Sequence, residues 1–88
     1  MLFIFAKEDV QRMWMKDMKF NIDMMWIDKN KRIVHMEKNA YPCVPPQCEI
    51  FEPTTIARYV LETNAGFAAD TNLFDSDSVE FRNLPEYI

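Results

Sequence analysis

The sequence predicts a small domain built on a sheet of short strands, with one short helix beside it. Three observations predict this. Apolar runs of strand length recur at Leu2-Phe3-Ile4-Phe5, Met13-Trp14-Met15, Ile22 to Asp28 and Ile33-Val34-His35-Met36, with polar residues between them. The last two runs flank Asp28-Lys29-Asn30-Lys31-Arg32, a polar hairpin loop longer than the two-residue kind. Ala65, Ala68, Ala69 and Leu73 form an apolar stripe behind Asn64, a candidate N-cap, and predict a helix over residues 65–73.

Eighty-eight residues make one domain, spanning residues 1–88. A chain this short buries roughly 60–65% of the surface its unfolded form exposes, so its margin of stability is thin. A hydrophobic content of 49% and an aromatic content of 14% compensate, because each large ring buries much area. The net charge is −4, which argues against nucleic acid as a partner, since that affinity comes from Lys and Arg at phosphates. No apolar run approaches the ~20 residues of a membrane span. Met1 to Ala6 is too short for a signal-peptide core and lacks a basic start. The sequence is therefore compatible with the cytoplasm and with export, and it leaves the oligomeric state open.

Taken in order, Leu2 to Phe5 is a β-prone run, and Met13-Trp14-Met15 is expected to be a second strand. Met24-Met25-Trp26-Ile27 is apolar at every position, which suits a strand covered on both sides. Ile33 to Met36 is its hairpin partner. Asn39 to Pro53 contains Pro42, Pro45, Pro46 and Pro53, too many for a helix or a central strand. It is expected to be an ordered loop across one end of the sheet. Thr54 to Thr63 reads as helix by the spacing of Ile56, Tyr59, Val60 and Thr63, and as strand by the alternation of residues 58–63. Ser78 to Arg82 is expected to be a final short strand, and Asn83 to Ile88 a tail.

Several phrases, in this order, resemble the family catalogued as domain of unknown function 192. They are Met1-Leu2-Phe3-Ile4-Phe5, Trp14-Met15-Lys16, Asp23 to Asp28, Pro42-Cys43 with Cys48, Tyr59-Val60-Leu61-Glu62 and Asn64-Ala65-Gly66. The resemblance implies an α+β fold, with a mainly antiparallel sheet curling toward a small barrel and one short helix. It also implies that Tyr59 to Thr63 is strand. The family usually has a segment rich in Arg, Gly, Leu and Met before the first phrase. This chain starts at the phrase itself, and a strand edge is expected to be left bare. Asp17 and Met18 stand where relatives often have Thr or Ser, and Ser76-Asp77 replaces a Gly-Asp turn. The family brings no settled activity with it.

Cys43 and Cys48 are separated by four residues. A zinc site needs about four ligands, and His35 is the only histidine, so no metal and no cofactor is expected. A disulfide requires the two Cα atoms within about 7 Å, whereas an extended Pro45-Pro46 would hold them apart. Two free, partly buried thiols are the leading expectation, with a disulfide as the alternative if the protein is exported. Cys43 as a nucleophile would need a base such as His35 nearby. Asp70, Asp75, Asp77 and Glu80 do not meet the spacing of a calcium loop. Gly66 is the only glycine, so no glycine-rich phosphate loop exists. Met13, Met15, Met18, Met24, Met25 and Met36 are expected to fill the core, not to form a binding face.

The candidate site is an apolar cleft at the sheet's end, formed by Trp14, Lys16, Asp23, Cys43 and Glu62. Ligand pockets combine apolar walls with a few polar anchors. Lys16 among aromatics suits a carboxylate or another anion, while Asp23 or Glu62 suits a hydroxyl or an amine. The leading functional expectation is a domain that binds a small polar or anionic ligand. The alternatives are a protein-interaction module using a strand edge or a methionine-rich face, and, less favoured, an enzyme using Cys43 or a carboxylate pair.

Overall fold

A computed structural model of the chain describes residues 1–81. The elements are β1 (Leu2–Asp9), β2 (Ile22–Ile27), β3 (Ile33–Ala40), β4 (Ala57–Asn64) and α1 (Phe67–Asp70). The strands form one sheet in the order β1-β4-β2-β3, and every neighbouring pair is antiparallel. The Tyr59 segment is thus a strand. It fills the slot between β1 and β2, with Trp26 opposite Val60 and Glu62 opposite Met24.

All six residues of β2 are buried, as its unbroken apolar run requires. The β2–β3 loop keeps its predicted bounds. The Asp28 side chain accepts from the backbone N–H groups of Asn30 and Arg32 at 2.9 and 3.0 Å, and Lys31 turns the chain at φ 63. An aspartate that bonds its own loop in this way stabilises the turn without help from the core.

Each face of the sheet has its own cover. On one face, Ile22, Met24 and Trp26 of β2 pack with Val60, Ala40 and Met15, and with the flanking Met13, Met18, Cys43 and Phe51. Met13 to Met18 lies over the sheet and is not a strand of it, which corrects the expected second strand. Its backbone partners belong to the proline-rich loop: Met13 and Phe51 exchange hydrogen bonds of 2.9 and 2.8 Å, and the Cys43 N–H donates to the Met15 carbonyl at 3.4 Å. These are isolated bridges. Asp17, at φ 64, then turns the chain away. Met13, Met15, Met18, Met24, Met25 and Met36 are all buried or half-buried, so they fill the interior.

On the other face lie the buried residues Met25, Ile27, Ile33 and Ala68 and the segment after α1, whose Phe81 ring meets Tyr59 at 4.8 Å. The helix is a single turn, Phe67–Asp70, not residues 65–73, and its N-cap is Gly66 at φ 96, not Asn64. Asn64 is still in β4. The helix ends early because Asn72 takes φ 55, while the Leu73 and Asn72 N–H groups close back onto the Ala68 and Ala69 carbonyls. This is the left-handed ending in which Asn substitutes for Gly. The expected final strand reduces to one bridge, Ser78 to Arg32. Arg82 and the tail Asn83 to Ile88 lie outside the described residues.

β1 and β3 are the outer strands, and they do not pair with each other. Among the described residues the sheet is therefore open and does not close into a barrel. Closure would need the edge of β3, and the start of that edge is taken by the chain at Ser76 and Asp77, bonded to Ile33 at 2.7 and 2.9 Å.

Candidate functional site

Cys43 and Cys48 form a disulfide with their Cα atoms 5.2 Å apart, which overturns the expectation of free thiols. The loop folds back because the Gln47 N–H donates to the Val44 carbonyl at 3.0 Å, closing a turn where an extended path would have separated the two sulfurs. A bonded sulfur offers no thiolate, so Cys43 in this state is not a nucleophile.

The strapped loop walls a hollow of about 200 Å³ at one end of the sheet. Its floor is Met15, 1% exposed. Tyr41, Pro42, Cys43 and Phe51 give it apolar walls, and Gln47 and Glu49 add polar groups. Lys16 follows the floor residue and is bridged by its backbone to Cys43. Its ammonium nitrogen lies 5.4 Å from the centre of the Trp14 ring, within range of a cation–π contact. Trp14 is 45% exposed. Trp14, Lys16 and Cys43 are thus neighbours, but of the three only Cys43 lines the hollow.

Glu62 lies on the same sheet face but beside a different hollow. The turn closed by the Met18 N–H and the Met15 carbonyl, 3.2 Å apart, stands between Met15 in the first hollow and Met18 in the second. The second hollow measures about 330 Å³ and has Met18, Phe20, Ile22 and Asn64 around Glu62. Burial among these side chains raises the Glu62 pKa above its ordinary value, and the positive amino group of Met1 partly opposes that shift.

Asp23 is not brought to either hollow. It is 1% exposed. One carboxylate oxygen accepts from the Asn39 N–H at 2.9 Å, and the other accepts from Gly66 and Ala68 at 3.2 and 2.9 Å. This carboxylate caps α1 from a distant strand, a structural duty that leaves little for a ligand. Sequence reasoning missed Met15, Tyr41, Gln47, Glu49 and Phe51 as lining residues. The signal for Tyr41, Gln47 and Glu49 was their place inside the Pro-Cys loop. Met15 and Phe51 carried none, because buried apolar residues look alike in a sequence whatever they face.

A third hollow of about 370 Å³ lies on the opposite face, between Leu2 and Leu61 of the sheet and Phe67 and Leu73. Among the described residues no three His, Cys, Asp or Glu side chains converge as metal ligands. No helix among them is long and apolar enough to cross a membrane.

Two solved structures share this architecture. A protein of Sinorhizobium meliloti 1021, described as a candidate transcription regulator, is 30% identical, with a TM-score of 0.82 over 90% of this chain. A protein of unknown function from Novosphingobium aromaticivorans DSM 12444 is 25% identical, with a TM-score of 0.79 over 91% of this chain. The present chain spans 59% and 55% of the length of those two. No curated protein matches it. The sequence profile of DUF192, described as an uncharacterized ACR, matches residues 1–81. On that match, which reaches from the first strand to the last described residue, the chain belongs to the DUF192 family.

Proposed function

We propose that this chain is a small-ligand-binding domain, and that the hollow under the disulfide-strapped loop holds a compact anionic molecule. One observation carries the reading: a buried apolar floor, Met15, sits beside Lys16, and Lys16 is bridged to the Cys43 wall. Such a site lets an apolar body rest on Met15, Tyr41 and Phe51 while an exposed ammonium meets the charged end. Lys16 rests on the Trp14 ring and is not among the walls, so this reading requires its flexible side chain to leave that ring when the ligand binds. The hollow's ~200 Å³ is below the roughly 300–1,000 Å³ of pockets for drug-sized ligands, so the ligand is smaller. The net charge of −4 weighs against the nucleic-acid role that the description of the Sinorhizobium protein suggests.

Benzoate is a fitting probe, with an apolar ring and one carboxylate. Titration followed by amide NMR is expected to give saturable shifts at Met15, Cys43, Gln47 and Phe51, weakened by Lys16→Ala and absent with benzamide. Shifts that do not saturate, or a Lys16→Ala chain that binds equally well, would refute the proposal.

A second reading, protein interaction by strand addition, is supported by the outer edge of β1, which pairs with no strand among the described residues. A chain that stays monomeric and captures no extended peptide would count against it. The methionine-rich version has no support, since those side chains are inside.

A further inference from the structure

We infer that the hollow beside Glu62 is a second, separate binding site, and that it takes a small organic ammonium ion. The two hollows share no lining residue, so this inference does not depend on the site under the Pro-Cys loop.

The register places Ile22 opposite Asn64 and Met24 opposite Glu62, which puts Ile22, Glu62 and Asn64 on one sheet face. Met18 and Phe20 come over that face from the crossing segment. The result is one carboxylate set among apolar walls, with an amide beside it. Among the described residues the carboxylate of Glu62 accepts no hydrogen bond and makes no ion pair. Partial desolvation of that charge is unfavourable, and the positive amino group of Met1 offsets it only in part. A cation entering the hollow removes that penalty, an anion adds to it, and a neutral molecule leaves it in place.

Two further features select an ammonium carried on carbon over a bare metal ion. Phe20 is 60% exposed and lines the hollow, and an aromatic ring attracts alkylated ammonium groups. Met18 and Ile22 supply apolar contact that a hydrated metal ion cannot use. The ammonium of Met1 already stands at the rim, donating to the backbone carbonyl of Glu62 at 2.5 Å.

The test titrates the full chain with choline and, in parallel, with the uncharged carbon isostere of choline, followed by amide NMR. Choline is expected to give saturable shifts at Met18, Glu62 and Asn64, and the isostere to bind at least about fivefold more weakly. Glu62→Gln is expected to weaken choline about fivefold while leaving the isostere and benzoate unchanged. Phe20→Ala removes an exposed ring, leaves the core intact, and is expected to weaken choline roughly two- to fivefold. Equal binding of choline and its isostere overturns the inference, as does the absence of saturable shifts. Should Glu62→Gln fail to fold, undiminished choline binding by Phe20→Ala overturns it in the same way.

Discussion

Asp23→Ala is expected to destabilise the fold by about 4 kcal/mol, and the number follows from what the carboxylate holds. Its two oxygens accept from three backbone N–H groups on two segments remote from β2: Asn39 at 2.9 Å, Gly66 at 3.2 Å and Ala68 at 2.9 Å. A buried donor left without a partner costs about 1–3 kcal/mol. The Ala68 bond is buried, and the other two are part-buried. Charging about 2 kcal/mol for Ala68 and about 1 for each of the others gives the total of about 4. For a domain whose whole stability is about 5–15 kcal/mol, that is a large share. It corresponds to a fall in Tm of roughly 20 °C. Asp23→Asn keeps one accepting oxygen and is expected to cost about half as much. Urea unfolding monitored by tryptophan fluorescence and circular dichroism reads both variants, through a lowered midpoint at unchanged slope. If Asp23→Ala stays within about 1 kcal/mol of the parent chain, the carboxylate is not what ties α1 and the end of β3 to β2.

Three more outcomes are expected. Reducing the Cys43–Cys48 bond, which spans a sequence separation of 5, is expected to cost about 2 kcal/mol by chain entropy. Hydrogen exchange should then quicken at Gln47 and Glu49, while the bonded pair Met13 and Phe51 stays protected. Because burial raises the Glu62 pKa, the folded chain holds that proton more tightly than the unfolded one. The stability Glu62 contributes is therefore present below its ordinary pKa and lost as pH rises through the raised value. Urea midpoints compared between about pH 4 and 7 should show this loss in the parent chain and not in Glu62→Gln. Gly66→Ala is expected to cost about 1–2 kcal/mol by thermal melting, from backbone strain alone, since φ is 96 and a new Cβ would meet no atom within 4 Å.

Much of the sheet was legible because its strongest signals are local. Met24-Met25-Trp26-Ile27 has no polar position to turn outward, so both faces had to be covered. The Asp28 loop carries its own hydrogen-bond acceptor. The Tyr59 segment was not legible from pattern alone, because Ile56, Tyr59, Val60 and Thr63 fall at helical spacing while residues 58–63 alternate as a strand. What makes it a strand is the open slot between β1 and β2, where its backbone finds partners on both sides. Met13-Trp14-Met15 misled for the converse reason. An apolar run that covers a sheet reads like one that belongs to it, and the difference lies only in where the backbone partners are.

The site divides in the same way. The Pro-Cys loop and the Trp14–Lys16 phrase lie side by side through the Lys16–Cys43 bridge, but of Trp14, Lys16 and Cys43 only Cys43 lines the hollow there. Asp23 and Glu62 had been grouped with them on chemistry alone. The sheet's alternation then separated them, sending Asp23 to cap a helix on one face and Glu62 to its own hollow on the other. The sequence by itself determined that the Ile22 and Ile33 segments would be extended, that the chain would turn at Asp28 and that Met24 to Ile27 would leave water, because those follow from side-chain period and turn chemistry within a few residues. Only the tertiary structure decided strand order, the disulfide, the short helix and the partition of the polar groups. Each of these depends on atoms that the chain brings together from far apart, as when Asp23 meets Ala68 across 45 positions.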